Sequence, residues 1–154
     1  MEESKGQSHM VALAANQDAH GQIGEMNFEQ KHLVMLPVND ATLRRGNEGK
    51  HWSLLALFRT AEGHNAGCFS AVLYDSARLA SHQARAAILA SRFLGANAEV
   101  QTGECALQRN GFDCGIYLLL FSEIILKGFL NSPSWYAFRI AGQWQGELLE
   151  IMPA

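Results

Sequence analysis

Apolar and polar positions along the chain fall into blocks of different period. Residues 1 to about 30 show weak periodicity and many Gly, Gln and Asn, so they read as mostly loop with a short helix near "HMVALAANQ". "HLVMLPV", His32 to Val38, is an unbroken apolar run stopped by Pro37 and "ND", the pattern of a buried strand. After the polar loop "NDATLRRGNEGK" come a second strand, "HWSLLALF", and a third, "CFSAVLYD", separated by the turn chemistry of "RTAEGHNAG". Two such strands joined by a polar turn predict a hairpin or β-meander.

The period then changes. In "SARLASHQARAAILASRFLG", Leu79, Ala86, Ala87, Leu89, Ala90 and Phe93 recur at helical spacing, and Gly95 is a natural C-terminal stop. "AEVQT" predicts a short strand. "LQRNGFDC" is polar, and "GIYLLLFSEIILKGFL" after it predicts an apolar helix beginning at Asp113 or Cys114. "SPSWYAFRIAGQWQGELLEIM" predicts a last helix from near Pro133, weakened by Gly142 and Gly146. Strands, helix, short strand, helix, helix is an α+β order.

Composition narrows the class. A chain of 154 residues with 48% hydrophobic and 18% charged residues fits one globular domain. The net charge of −3 provides no basic field for nucleic acid. Three cysteines without a CxxC pair argue against a disulfide framework and a structural zinc site, and fit a reducing, intracellular compartment. "MEESKGQSHM" has no apolar signal-peptide core, and the most apolar run, interrupted by Glu123 and Lys127, reads as a buried core helix, not a membrane span.

Candidate chemistry centres on Cys114. A thiol at a helix N-terminus meets free N–H groups and a partial positive charge, which favour the thiolate. Gly115 beside it leaves room for a substrate backbone. The alternative is an inert, buried cysteine. A cysteine nucleophile needs a base and the base an orienter. Of six histidines, His51 stands out, opening a strand after a glycine-containing loop. Asp75 ends the neighbouring strand, so hairpin pairing would bring it to the same end of the sheet as His51. It also suits an N-cap for a helix beginning near Ser76. His82 falls on a charged helix. Gln108, six residues before Cys114, can donate to an oxyanion or be an ordinary loop glutamine.

"HWSLL", "YDS" and "QRNGFDCGIYLL", in that order, resemble the SUMO-protease and deneddylase family of cysteine proteases, which cleave ubiquitin-like modifiers after a C-terminal Gly-Gly. "LPVND" ahead of "HWSLL" is closer to the deneddylase branch. The resemblance runs from about Leu33 to Leu130. It implies a papain-like fold of the ubiquitin-like-protease type, a small mixed sheet flanked by helices with the nucleophile at a helix N-terminus. It implies Cys114 as nucleophile, His51 as base, Asp75 as orienter and Gln108 in the oxyanion hole. Trp52 would form one wall of the tunnel that admits Gly-Gly, selecting glycine by exclusion; a core aromatic is the other reading. Asn110 and Asp113 match the motif and, with Gly115, are expected to line the substrate site. The implied partners are the neddylation modifier, or SUMO, and their conjugates. No metal or organic cofactor, nucleic acid or membrane is implied, and the chain is expected to act as a monomer in cytoplasm or nucleus.

Two features depart from the family pattern. The stretch from His51 to Asp75 is longer than expected, with "AEGHNAG" as an extended hairpin tip. Upstream, the family has a longer segment with a "W-L-N-D"-like motif and the second tunnel tryptophan. Here about 35 residues precede "LPVND" without a match, and Trp135 and Trp144 lie at the other end. The domain reading is therefore a weakly structured segment over residues 1–30 and an N-terminally shortened protease domain over 31–154. Two rival functions remain. A binding module would hold a modifier without turnover. A redox-sensing thiol protein would react at Cys114 without cleavage, and Cys105 is a poor resolving partner.

Overall fold

The computed structural model describes residues 31–41, 50–59 and 68–131. The short helix expected near residues 9–17, the segment 1–30, the hairpin tip and the helix expected after Pro133 lie outside them. The described elements run β1 (Leu33–Asn39), β2 (Trp52–Arg59), β3 (Phe69–Tyr74), α1 (Ala80–Leu94), β4 (Val100–Thr102) and α2 (Cys114–Asn131). β1 and β2 pair antiparallel with Asn39 opposite Trp52. β2 and β3 pair antiparallel with Leu54 opposite Tyr74. β4 joins β3 in parallel, so the sheet reads β1-β2-β3-β4. The expected meander is present, and α1 is the crossover that a parallel β3–β4 pair needs.

The strands read as continuous apolar runs because both faces of the sheet are covered. Alternation assigns the sides. Leu33, Met35, Leu54, Ala56 and Phe58 pack with Tyr117, Phe121 and Ile125 of α2. Val34, Leu36, Val38, Leu55, Leu57, Ala71 and Leu73 pack with Ala86 and Ala90 of α1. The result is a three-layer core, with the sheet between the helices. Pro37 is tolerated because β1 is an edge strand, where a missing N–H costs little.

The two helices differ in how they meet the sheet. α1 presents small residues, Ala86 and Ala90, and closes at Gly95, whose φ of +93° favours glycine and whose N–H returns to Ser91 O at 3.0 Å. It begins at Ala80, four residues later than the expected start near Ser76, because the intervening residues form a turn around Asp75. α2 begins at Cys114, as expected, and buries Tyr117, Phe121 and Ile125, spaced four residues apart. Each such side chain contributes on the order of 1.5–3 kcal/mol by leaving water. By length and composition alone α2, with 18 residues and a mean hydropathy of 1.5, could cross a bilayer. Glu123 and Lys127, which argued against that in the sequence, pair with each other one turn apart. The packing of its stripe on β2, not the charge count, marks α2 as the core helix of this sheet.

One contact fixes the chain where it leaves β4. Gly103 N–H donates to Leu73 O at 2.8 Å, and a Cβ on Gly103 would lie 2.4 Å from Cε1 of the buried Tyr74 ring. Gly103→Ala is therefore expected to destabilise the fold by about 1–3 kcal/mol, read from the urea midpoint. Gly111→Ala, where an added Cβ meets nothing within 4 Å, is the control and should stay within about 0.5 kcal/mol of the parent.

Candidate active site

The register of β2 against β3 builds the site. His51 lies one residue before β2 and Asp75 one residue after β3, and Leu54 faces Tyr74, so both come to the same end of the sheet. His51 Nε2 donates to Asp75 Oδ1 at 2.6 Å, and both side chains are buried. Asp75 does more than orient His51. Its Oδ1 also accepts from Ala77 N–H at 2.9 Å, and its Oδ2 from Leu79 N–H at 2.7 Å. In place of the N-cap expected near Ser76, Asp75 holds the turn before α1, and the same carboxylate bonds the His51 ring. The turn it organises places Arg78 at φ +52°, a left-handed conformation for a non-glycine residue.

Cys114 occupies the first position of α2 and is buried. Its Sγ lies 4.0 Å from the carbonyl oxygen of Lys50, the residue before His51. The first helical bond is made by Tyr117 N–H to Asp113 O at 3.0 Å, so the N–H groups of Cys114, Gly115 and Ile116 precede the hydrogen-bond ladder. The sulfur thus sits beside both the His51 backbone and a set of helix N-terminal donors. The other thiols are differently placed. Cys68 is exposed. Cys105 is buried, and burial pushes its thiol up to about 11, which keeps it protonated at neutral pH.

The remaining sequence candidates lie in the loop before Cys114, at the start of α2 and at the strand ends. Gln108 is held at both ends of its amide: Ser76 Oγ donates to Oε1 at 2.7 Å, and Nε2 donates to Asn110 O at 2.6 Å. One N–H of Nε2 remains for another acceptor. Asn110 and Asp113, expected at the substrate site, direct their polar atoms at the turn itself. Asn110 Oδ1 accepts from Phe112 and Asp113 N–H, and Asn110 Nδ2 donates to Asp113 Oδ2 at 2.6 Å. They build the loop that delivers Cys114. An added Cβ on Gly115 meets nothing within 4 Å, so the space beside that residue is open. Trp52 is 39% exposed at the mouth of β2, and Phe112, two residues before Cys114, is 79% exposed.

The structure adds residues that the sequence reading passed over. Asn39 and Asp40, read as a strand stop, clamp the His51 backbone. Asp40 Oδ1 accepts from His51 N–H at 2.9 Å, and Asn39 Nδ2 donates to His51 O at 3.1 Å. Ser76, read as a helix start, orients Gln108. His82, read as one residue of a charged helix, is fully buried. The signal was there: His82, Ala86 and Ala90 share one stripe at a spacing of four. His82 Nδ1 meets Ser53 Oγ at 2.6 Å, and its ring lies 4.5 Å from that of His51 in an edge arrangement. Its Nε2 is buried with no hydrogen-bond partner, a cost of about 1–3 kcal/mol. Burial lowers its pKa and the His51 charge lowers it further, against the pull of Asp75 and Asp40, so His82 is neutral at neutral pH.

His51, Asp75 and His82 offer ligand atoms within 4.8 Å of one another, a spacing a metal ion could draw together. Two of those ligands are already joined by the 2.6 Å His51–Asp75 bond, which makes the group a charge-orienting network first. A cavity of about 730 Å³ lies at the far end of β2 and β3, beside Arg59, Cys68 and Phe69, away from this network.

Asp40 gives the site a pH dependence. Burial raises its carboxyl, but N–H groups of His51 and Lys50 and the nearby His82 outweigh that and hold it below the usual range. A lowered folded-state pKa contributes stability that is present above the unfolded value and lost as pH falls through the folded one. Acid unfolding followed by circular dichroism should therefore show a loss below about pH 4, and Asp40→Asn should remove that component.

No protein-family model matches the chain. NEDD8-specific protease 1 of Arabidopsis thaliana is 32% identical over 112 residues, 68% of this chain and 45% of the relative, so the chain spans less than half the length of the protein it matches. The Xanthomonas campestris effector XopD, solved bound to ubiquitin, superposes with a TM-score of 0.61 at 21% identity, covering 94% of this chain and 72% of that one. AvrA, solved with IP6 and CoA, gives a TM-score of 0.56 at 18% identity over 90% of this chain and 48% of that one. At these identities the solved structures establish the fold, the ubiquitin-like-protease type of α+β architecture. With the sequence similarity and the ordered "HWSLL", "YDS" and "QRNGFDCG" motifs in place around one end of the sheet, the chain is similar to the SUMO-protease and deneddylase family.

Proposed function

We propose that this chain is a cysteine isopeptidase that cleaves after the C-terminal Gly-Gly of a ubiquitin-like modifier, most directly the neddylation modifier. The observation that carries the reading is the placement of Cys114 at the start of α2, beside the Lys50–His51 backbone, with Asp75 bonded to the His51 ring. The similarity to NEDD8-specific protease 1 favours the neddylation modifier over SUMO. Three free thiols fit a reducing compartment.

The chemistry follows from the atoms. Asp75 accepts from His51 Nε2, which leaves Nδ1 as the nitrogen that takes the Cys114 proton. The thiolate attacks the glycine carbonyl carbon. Charge on its oxygen is met by the remaining Gln108 N–H and by N–H groups at the start of α2. Protonated His51 gives its proton to the leaving amine as the C–N bond breaks, producing a thioester on Cys114. Water, losing a proton to His51, then hydrolyses the thioester and restores the thiol. Trp52 is exposed at the start of β2 and Gly115 has open space around it, which supports an approach suited to residues without side chains.

The test uses modifiers carrying a C-terminal electrophile: the neddylation modifier, SUMO and ubiquitin. A mass shift with the first, lost in Cys114→Ala, supports the proposal; a shift with only SUMO or ubiquitin corrects the modifier. No shift in protein shown to be folded favours a binding module. An acetylated Cys114 formed from acetyl-CoA would favour acyl transfer instead. In turnover assays Cys114→Ser should abolish cleavage, and His51→Ala should cost about 10²–10⁴-fold or more. Asp75→Asn should cost less than His51→Ala.

A further inference from the structure

We propose that His82 is a positioning residue for the nucleophile pair, its ring, anchored by Ser53, holding the His51 imidazole in the plane that reaches Cys114. The inference rests on the pairing of Cys114 with His51 given above.

Alternation along β2 and β3 puts His51, Ser53 and Asp75 on the α1 side of the sheet, the side of Leu55 and Leu73. The α1 stripe His82, Ala86, Ala90 meets that side, and Ala86 and Ala90 bring the helix close. At the site end of the stripe stands His82, an imidazole with no exposed surface. The Ser53 hydroxyl fixes one edge of its ring through Nδ1 at 2.6 Å. The rest of the ring is aimed at His51, with centroids 4.5 Å apart and planes 75° from parallel. Asp75 fixes only one atom of His51, Nε2, and a single hydrogen bond leaves rotation about that bond. An aromatic ring packed at a steep angle removes the rotation, because the imidazole would have to pass through it.

Charge adds a second reason for this residue to be neutral. His51 becomes a cation when it takes the Cys114 proton, and a cation beside it would oppose that transfer. The groups facing His82 are His51 and Asp75 from the strand ends, Asp40 from the end of β1 and Arg85 from its own helix. Burial, with His51 and Arg85, outweighs the two carboxylates and lowers the pKa of the ring, which favours its uncharged form.

The experiment reads the Cys114 thiolate directly and needs no modifier. The rate of iodoacetamide alkylation at Cys114, resolved from Cys68 by peptide mapping, is measured against pH for the parent, His51→Ala, His82→Ala and His82→Phe. Circular dichroism and thermal melting confirm each fold. His51→Ala should remove the low-pH limb that a thiolate–imidazolium pair gives; if it does not, the pairing itself is wrong. If that limb is lost, His82→Ala should shift it to higher pH and lower the neutral-pH rate about tenfold, and His82→Phe, which restores a ring, should recover most of the rate. A folded His82→Ala with the parent's profile, or a His82→Phe no better than His82→Ala, overturns the positioning role.

Discussion

The carboxylate of Asp75 is the point on which the rest of the site depends. It accepts from the His51 ring and from the N–H groups of Ala77 and Leu79. One buried anion thus ends β3, shapes the turn into α1 and aims the His51 ring. A buried carboxylate is costly unless hydrogen bonds satisfy it, and here those bonds come from elements that must already be in place. The chemistry and the local fold are therefore one structure. A change that releases the turn also releases the imidazole.

A second layer of constraint surrounds the first. The His51 backbone is clamped from β1 by Asn39 and Asp40, and Arg85 of α1 donates to the carbonyls of the same two residues. On the other side, Ser76 follows Asp75 directly and orients Gln108, whose own N–H donates to Ser76 O at 2.9 Å. Gln108 in turn holds the loop that Asn110 and Asp113 fold into the start of α2. A continuous set of hydrogen bonds therefore runs from His51 to the loop before Cys114 through main chain as well as side chains. Such sites keep their geometry because each orienting group is itself oriented.

The division of labour between the sheet faces explains how so small an assembly holds both His51 and Cys114. The α1 side carries His51, Asp75 and His82, where small alanines let the helix approach. The α2 side carries the larger apolar contacts of Tyr117, Phe121 and Ile125 and delivers Cys114 at the helix start. The two halves meet at the sheet end, where the sulfur reaches the Lys50 carbonyl. The fold shared with XopD and AvrA supplies that meeting place; the residues standing there decide the chemistry.

Much of this was legible in the sequence. Unbroken apolar runs announced strands covered on both faces, the change of period announced α1, and Gly95 and Cys114 marked helix ends, because burial and backbone conformation act on each residue locally. His51 and Asp75 could be placed together because a hairpin makes sequence order into spatial order. What the sequence left undecided depended on contacts between distant segments. Whether His82 lay on a solvated face or in the core turned on which side of α1 met the sheet. Whether "ND" merely ended β1 or gripped His51, and whether Ser76 opened a helix or held Gln108, turned on partners 11 and 32 residues away. A polar side chain carries no local sign of its partner, so its role is fixed only when tertiary packing brings the partner to it.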